Sequence, residues 1–156
     1  MKVSKLEDYL LRLYKAGAIN HSRQAVLLLG PPGIGKSMTC LSLAKRIAKS
    51  LNKEFIDYND DEAPKILAEP EKYFVFVDFR LTEAEPSDLL GIPKEIDGAV
   101  SFRPLLWARC LSKCAGLLLL DELTNVSRPD VISASYKLIF DRRAGFVKFH
   151  EDVFIV

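Results

Sequence analysis

The sequence predicts a three-layer α/β fold of the phosphate-loop type, with a mostly parallel sheet and a β-hairpin insert. Three observations predict it. The octet Gly30-Pro31-Pro32-Gly33-Ile34-Gly35-Lys36-Ser37 fits the pattern G-x-x-x-x-G-K-[ST] at every fixed position. Short apolar runs alternate with helix-period segments along the 156 residues, as strands joined by helical crossovers do. A later apolar run, Leu117-Leu118-Leu119-Leu120, ends in two adjacent carboxylates, Asp121 and Glu122.

Taken in order, residues 6–15 read as an amphipathic helix, because Leu6, Tyr9, Leu10 and Leu13 fall on one face. Residues 24–29, Gln-Ala-Val-Leu-Leu-Leu, have the unbroken apolar character of a buried parallel strand. After the octet, Leu41, Ala44 and Ile47 mark one face of a helix reaching about residue 50. Residues 57–72 hold two prolines and the run Asn59-Asp60-Asp61-Glu62, which predicts a loop or short surface helix with a solvated charged face. Residues 73–81 are the second strand. Residues 92–102 place Asp97-Gly98 between mixed arms, a hairpin signal. A helix over 105–113, a core strand over 116–120, a helix from Pro129 to about residue 140, and a last hairpin or strand over 147–149 and 153–156 complete the chain. With no helix after it, that last strand is expected to expose apolar surface around Phe154 and Ile155. One domain accounts for residues 1–156, since domains peak near ~100–150 residues.

Bulk properties exclude several function classes. Apolar residues make up 49% and charged residues 28%, as in ordinary globular chains. Lysine plus arginine number 22 against 21 acidic residues, so no basic excess points to nucleic acid or a membrane surface. No apolar run approaches the ~18 residues of a membrane span, and Met1-Lys2-Val3-Ser4 opens a polar segment unlike a signal peptide. A cytoplasmic location is the expectation. Cys40, Cys110 and Cys114 lack zinc-type spacing and read as small buried hydrophobes.

Strand, glycine-rich turn and helix start together suit a nucleotide phosphate. Glycines let backbone N–H groups converge on phosphate oxygens, and the helix N-terminus adds partial positive charge. Gly30, Pro31, Pro32, Gly33, Ile34, Gly35, Lys36, Ser37 and Met38 form the expected binding segment for ATP. Lys36 reaches the β- and γ-phosphates, and the Ser37 hydroxyl is a ligand for Mg²⁺. Asp121, at the C-terminal end of its strand, is the second Mg²⁺ ligand, direct or through water. Glu122 is placed to polarise a water for attack on the γ-phosphate, which makes Glu122 and Lys36 the expected catalytic pair.

These motifs, in this order, resemble the AAA+ ATPases and within them the MoxR-like group, over nearly all of the chain. The octet has the Walker A form usual there, and Asp121-Glu122-Leu123-Thr124-Asn125 resembles the Walker B motif and its extension. Asp78-Phe79-Arg80-Leu81, followed by Pro86-Ser87-Asp88-Leu89-Leu90-Gly91-Ile92-Pro93, looks like the approach to the MoxR-like helix-2 insert. Leu138-Ile139-Phe140-Asp141-Arg142-Arg143-Ala144-Gly145 resembles the turn before the sensor-1 strand. The resemblance implies strand order 5-1-4-3-2 and an ATP hydrolase that remodels or assembles partner proteins in chaperone fashion. It also implies a homo-oligomer, hexameric when complete, and a client protein that in this group often carries a von Willebrand A-type domain. In the family a small-Gly-Asn segment, a helical lid, sensor 2 and an arginine finger follow, so residues 1–156 are expected to be the N-terminal part of the AAA+ core.

Two other readings compete. A small P-loop nucleotide kinase usually carries an arginine-rich lid and lacks an Asp-Glu pair after a leucine-rich strand. A non-hydrolysing module would use ATP only to organise an interface. A DNA-loading role finds no basic patch. Among remaining candidates, Arg80 and Thr82 follow the second strand, where a polar partner for Glu122 is expected; Arg80 reads more simply as pairing with Asp78 or Asp88. Arg128, Arg142 and Arg143 read as surface or helix-end residues before interface ones. Asn125 suits either the site or a helix N-cap near Pro129. His21 and His150 stand alone, Trp107 reads as core, and Ile92 and Val100 of the hairpin read as facing a substrate or pore, or else as serving packing or assembly.

Overall fold

The computed structural model of the chain describes residues 3–19 and 23–156. Its centre is a four-stranded parallel sheet of β1 (Glu54–Asp57), β2 (Tyr73–Arg80), β5 (Ala115–Asp121) and β8 (Val153–Ile155), in the order β1-β2-β5-β8. Helices α1 (Val3–Ile19) and α2 (Lys36–Ser50) cover one face. The short helix α3 (Ala63–Ala68), with α5 (Leu106–Lys113) and α6 (Pro129–Tyr136), covers the other. This is an α/β fold with a mostly parallel sheet, as the alternating pattern predicts.

The period of two in a strand decides which residue meets which face. Phe74 and Phe76 of β2, with Leu117 and Leu119 of β5, pack beneath α2 against Leu43, Ala44 and Ile47. Tyr73, Val75 and Val77, with Leu118 and Leu120, pack on the opposite side with Ile66, Trp107 and Leu111. Both faces of β2 and β5 are therefore dry, which explains why their sequences are continuous apolar runs rather than alternating ones. Trp107 is core, as expected, and its indole N–H also donates to the Asp88 carbonyl at 3.0 Å, tying α5 to α4 (Pro86–Leu90).

A two-stranded antiparallel insert, β3 (Ile92–Ile96) and β4 (Ala99–Arg103), rises beyond α4. Asp97 and Gly98 both have positive φ, 54° and 78°, as a tight hairpin turn demands. Its side chains are almost all exposed, Ile92 and Val100 among them. A smaller hairpin pairs β6 (Arg143–Ala144) with β7 (Val147–Lys148). No described helix is long and apolar enough to cross a membrane.

Several expectations are corrected. Residues 24–29 do not join the ladder. The Val26 N–H donates to the Ile155 carbonyl at 3.0 Å, but β8 is three residues long and this single bond is fewer than a strand pair needs. The segment still alternates like a strand: Val26 and Leu28 pack on the α2 side, while Leu27 and Leu29 are exposed. Phe154 and Ile155 are buried, not exposed, because α1 and the helices of the other face close over β8. Residues 54–57, of which only Asp57 falls in the stretch expected as a loop or short surface helix, form edge strand β1: Ile56 is buried in one face of the core, Phe55 packs on the other, and Glu54 and Asp57 stay in solvent. The helix from Pro129 is regular to Tyr136 and then widens into a π-helical turn, Lys137–Asp141, ending at Arg142 with φ 53°. His21 lies outside the described residues.

Gly116 marks a close approach in the sheet. A Cβ there would strike the Val75 carbonyl on β2 and the Leu111 side chain on α5, so neither backbone nor helix can yield cheaply. Gly116→Ala is expected to cost about 1–3 kcal/mol of stability, read as a lower urea midpoint at unchanged slope.

Candidate functional site

The octet and the paired carboxylates meet at the C-terminal edge of the sheet, where open parallel sheets bind ligands. Gly33 and Gly35 take φ of 79° and 86°, and a Cβ at either would enter open space. They are glycines for backbone reasons, since the turn from residue 29 into α2 needs left-handed conformations that side chains rarely adopt. Gly35 is the residue capping α2, with no side chain bonded to the helix's first N–H groups. Thr39 closes the first turn from below, its N–H and its hydroxyl both donating to the Gly35 carbonyl, at 2.9 and 2.8 Å. The free N–H groups therefore face outward with the partial positive charge of a fifteen-residue helix behind them.

Lys36 lies back across the loop, its ammonium donating to the Gly30 carbonyl at 2.8 Å and the Pro31 carbonyl at 2.9 Å. Ser37 turns inward, and its hydroxyl donates to Asp121 Oδ2 at 2.7 Å. That bond joins the two motifs across 84 residues. The other Asp121 oxygen accepts the Glu122 N–H at 2.9 Å, which helps hold Glu122 in a left-handed conformation, φ 62°. The Thr82 hydroxyl donates to Glu122 Oε2 at 2.7 Å. Ser37 and Asp121 fit a magnesium ion by donor chemistry, a neutral and an anionic oxygen converging beside uncapped helix N–H groups. Met38 and Ile34 are exposed on the rim of the loop.

The remaining candidates separate clearly. Of Arg80 and Thr82, Thr82 is the residue that reaches Glu122. Arg80 pairs with Glu83 at 3.0 Å, not with Asp78 or Asp88; three residues along the turn is within reach, and Asp88 is engaged by the Glu85 N–H at 2.8 Å. Asn125 does not cap α6. Its N–H donates to the Glu122 carbonyl at 2.9 Å within a 3₁₀ turn, and Arg128 occupies the cap position. Arg128 bridges Glu85 at 2.6 Å and Asp130 at 2.9 Å. Arg142 is drawn inward onto the carbonyls of Arg23 and Val153, so it serves the fold; burial, with Arg23 nearby, lowers its proton affinity. Arg143 stays exposed at the start of β6. His150 accepts the Asp152 N–H at 3.1 Å in a turn far from the octet in the fold.

Two signals were missed in the sequence. Asp78 emerges from β2 on the face where α2 begins; burial first, and Asp121 second, raise its carboxyl above the ordinary carboxylate range. Cys40 lies under the loop with its thiol pushed up to about 12, by burial first and then by Asp121 and Asp78. Only alternation along β2, counted from Phe74, could have placed Asp78 there. The three thiols are buried and unpaired, in accord with their reading as small hydrophobes. A solvent-open concavity of about 460 Å³ lies at the far end of α2, where Lys45 sits over the Phe55 ring and Lys53 pairs with Glu71.

Comparison of the chain with family models, with curated proteins and with solved structures returned no match.

The raised Asp78 has a signed consequence. A carboxyl whose folded pKa lies above its unfolded value opposes folding at neutral pH, and that opposition fades as pH falls through the folded value. Asp78→Asn is expected to raise the melting temperature at pH 7, with the gain vanishing near pH 3; thermal unfolding across that range checks it.

Proposed function

We propose that the chain binds Mg-ATP on residues 30–37 and belongs to the phosphate-loop ATPases of the AAA+, MoxR-like type, coupling hydrolysis to remodelling or assembly of partner proteins. The observation that carries this reading is the 2.7 Å bond from the Ser37 hydroxyl to Asp121. It brings a loop motif and a strand-end motif, recognised separately in the sequence, to one point.

Strand order supports the same reading. If β8, β5 and β2 are strands 4, 3 and 2 of the 5-1-4-3-2 arrangement, strand 1 belongs on the free side of β8. Residues 24–29 lie there, held by the bond from Val26 to Ile155. Strand β1 is then an addition at the outer edge.

Each side chain has a part that its geometry permits. The uncapped N–H groups of α2 and the loop hold phosphate oxygens. Lys36 exchanges the carbonyls of Gly30 and Pro31 for the β- and γ-phosphates, a stronger charge-assisted contact. Ser37 and Asp121 would hold Mg²⁺, which when bound neutralises charge on the phosphates. Glu122 orients and deprotonates the attacking water. Its Oε2 accepts the Thr82 hydroxyl, which orients the carboxylate. This last contact also favours a second reading, a binding module in which Glu122 stays with Thr82 and ATP is held without turnover. On the first reading the protein acts as a homo-oligomer, and the exposed insert is a surface for a client such as a von Willebrand A-type domain.

Lys36→Ala removes the charge-assisted contact, worth about 1.5–3 kcal/mol, and is expected to weaken ATP binding roughly ten- to a hundred-fold by calorimetry. Equal affinities would end the phosphate-loop reading. Asp121→Asn is expected to leave ATP binding nearly independent of Mg²⁺, because the anionic ligand is gone; titrations with magnesium and with a chelator check this.

A further inference from the structure

We propose that Arg80 is a second cationic contact for the terminal phosphate of a bound nucleoside triphosphate, supplied by the same chain that carries the loop. The inference rests on the nucleotide reading of residues 30–37 and adds to it a residue that distinguishes triphosphate from diphosphate.

Register places Arg80. In the parallel pair of β2 and β5, Arg80 is the partner of Asp121. Partners in such a pair emerge on the same face, one strand spacing apart, about 4.8 Å. Phe74 and Phe76 lie under α2, so by the period of two Arg80 leaves β2 on the face where α2 starts. Asp121 leaves β5 on that face and accepts the Ser37 hydroxyl. Two residues beyond Arg80, Thr82 holds Glu122. Arg80 therefore rises between the residue that ends in the loop-binding carboxylate and the one that holds the proposed base. That is the γ-phosphate side of the site.

Its present partner is easily given up. The side chain is 56% exposed and pairs with Glu83, itself 70% exposed, at 3.0 Å. Exposed pairs of this kind contribute little to stability. Acidic neighbours raise the guanidinium's proton affinity, Glu83 first and then Glu122 and Asp121, so it already stands in the field of the site's carboxylates. A phosphate offers two oxygens to the planar guanidinium fork, a geometry that a lone carboxylate oxygen of Glu83 does not match and that lysine cannot reproduce. The β-phosphate is served by Lys36 and the helix N–H groups; Arg80, on the Glu122 side, meets only what lies beyond it.

The test compares Mg²⁺ complexes of ADP and of the non-hydrolysable imido analogue of ATP, by calorimetry on the full chain. Arg80→Ala is expected to weaken the analogue about ten-fold and leave ADP unchanged, with Arg80→Lys recovering only part of the loss. Glu83→Gln, which frees the guanidinium, is expected to tighten the analogue two- to three-fold without affecting ADP. If Arg80→Ala keeps the wild-type ratio of the two affinities, the inference is overturned while the loop reading stands. If the wild-type chain binds neither nucleotide, both fall together. Glu83→Gln weakening the analogue would assign Arg80 to holding its turn and also overturn the inference.

Discussion

A parallel strand pair has little freedom once its ends are set, because each slanted hydrogen bond fixes the next and a slip of one residue turns every side chain to the wrong face. The pairing of β2 with β5 runs from Phe74 against Ala115 to Arg80 against Asp121, and the other elements take their places from it. Both strands are dry on both faces as far as Val77 and Leu120, so a slip would draw the charged end of β2 toward that dry stretch. Gly116 lets the two backbones and α5 close to contact at the start of this register. At its other end the same pairing delivers Arg80, Asp121, and one residue later Glu122, to a single edge.

That edge holds more acid than base before any ligand is considered. Asp78, Asp121 and Glu122 gather beside Lys36 and Arg80, and the arrangement is kept by short neutral-to-charged bonds: Ser37 to Asp121, Thr82 to Glu122, Glu122 N–H to Asp121. Each cation is engaged by acceptors that a phosphate would outcompete, loop carbonyls for Lys36 and an exposed carboxylate for Arg80. The carboxyl of Asp78 registers the crowding directly, held up by burial and by Asp121. Away from this edge, charged groups are used to hold the fold: Arg23 stacks on Tyr14 at 3.9 Å and pairs with Asp152, while Arg142 bonds main-chain carbonyls nearby.

Residues whose role depends on local backbone chemistry were legible. The glycines of the octet, the Asp97-Gly98 turn and the leucine run before Asp121 each announce a conformation or a dry environment over a few residues. Edge behaviour was less so. Residues 24–29 have a buried strand's composition, yet one hydrogen bond to a three-residue neighbour leaves them outside the ladder. Residues 54–57 are half polar, yet they complete the opposite edge, with Phe55 and Ile56 packed on opposite faces of the sheet and Glu54 and Asp57 in solvent. Composition reports how dry a segment is on average and cannot say whether its backbone finds a second partner.

The sequence by itself determined the α/β class, the loop that precedes α2, the insert's turn and the identity of the two acidic residues after β5, because periodicity and turn stereochemistry act within a few residues. Only the tertiary structure decided the partners. Thr82 rather than Arg80 meets Glu122, Arg80 turns to Glu83, Asn125 gives up the cap to Arg128, and Arg142 bonds the carbonyls of Arg23 and Val153. Those outcomes depend on register across strands and on which of several near-equal polar contacts remains open once the helices have packed. Such contacts differ by about a kcal/mol or less, a margin that sequence spacing does not resolve and that packing settles.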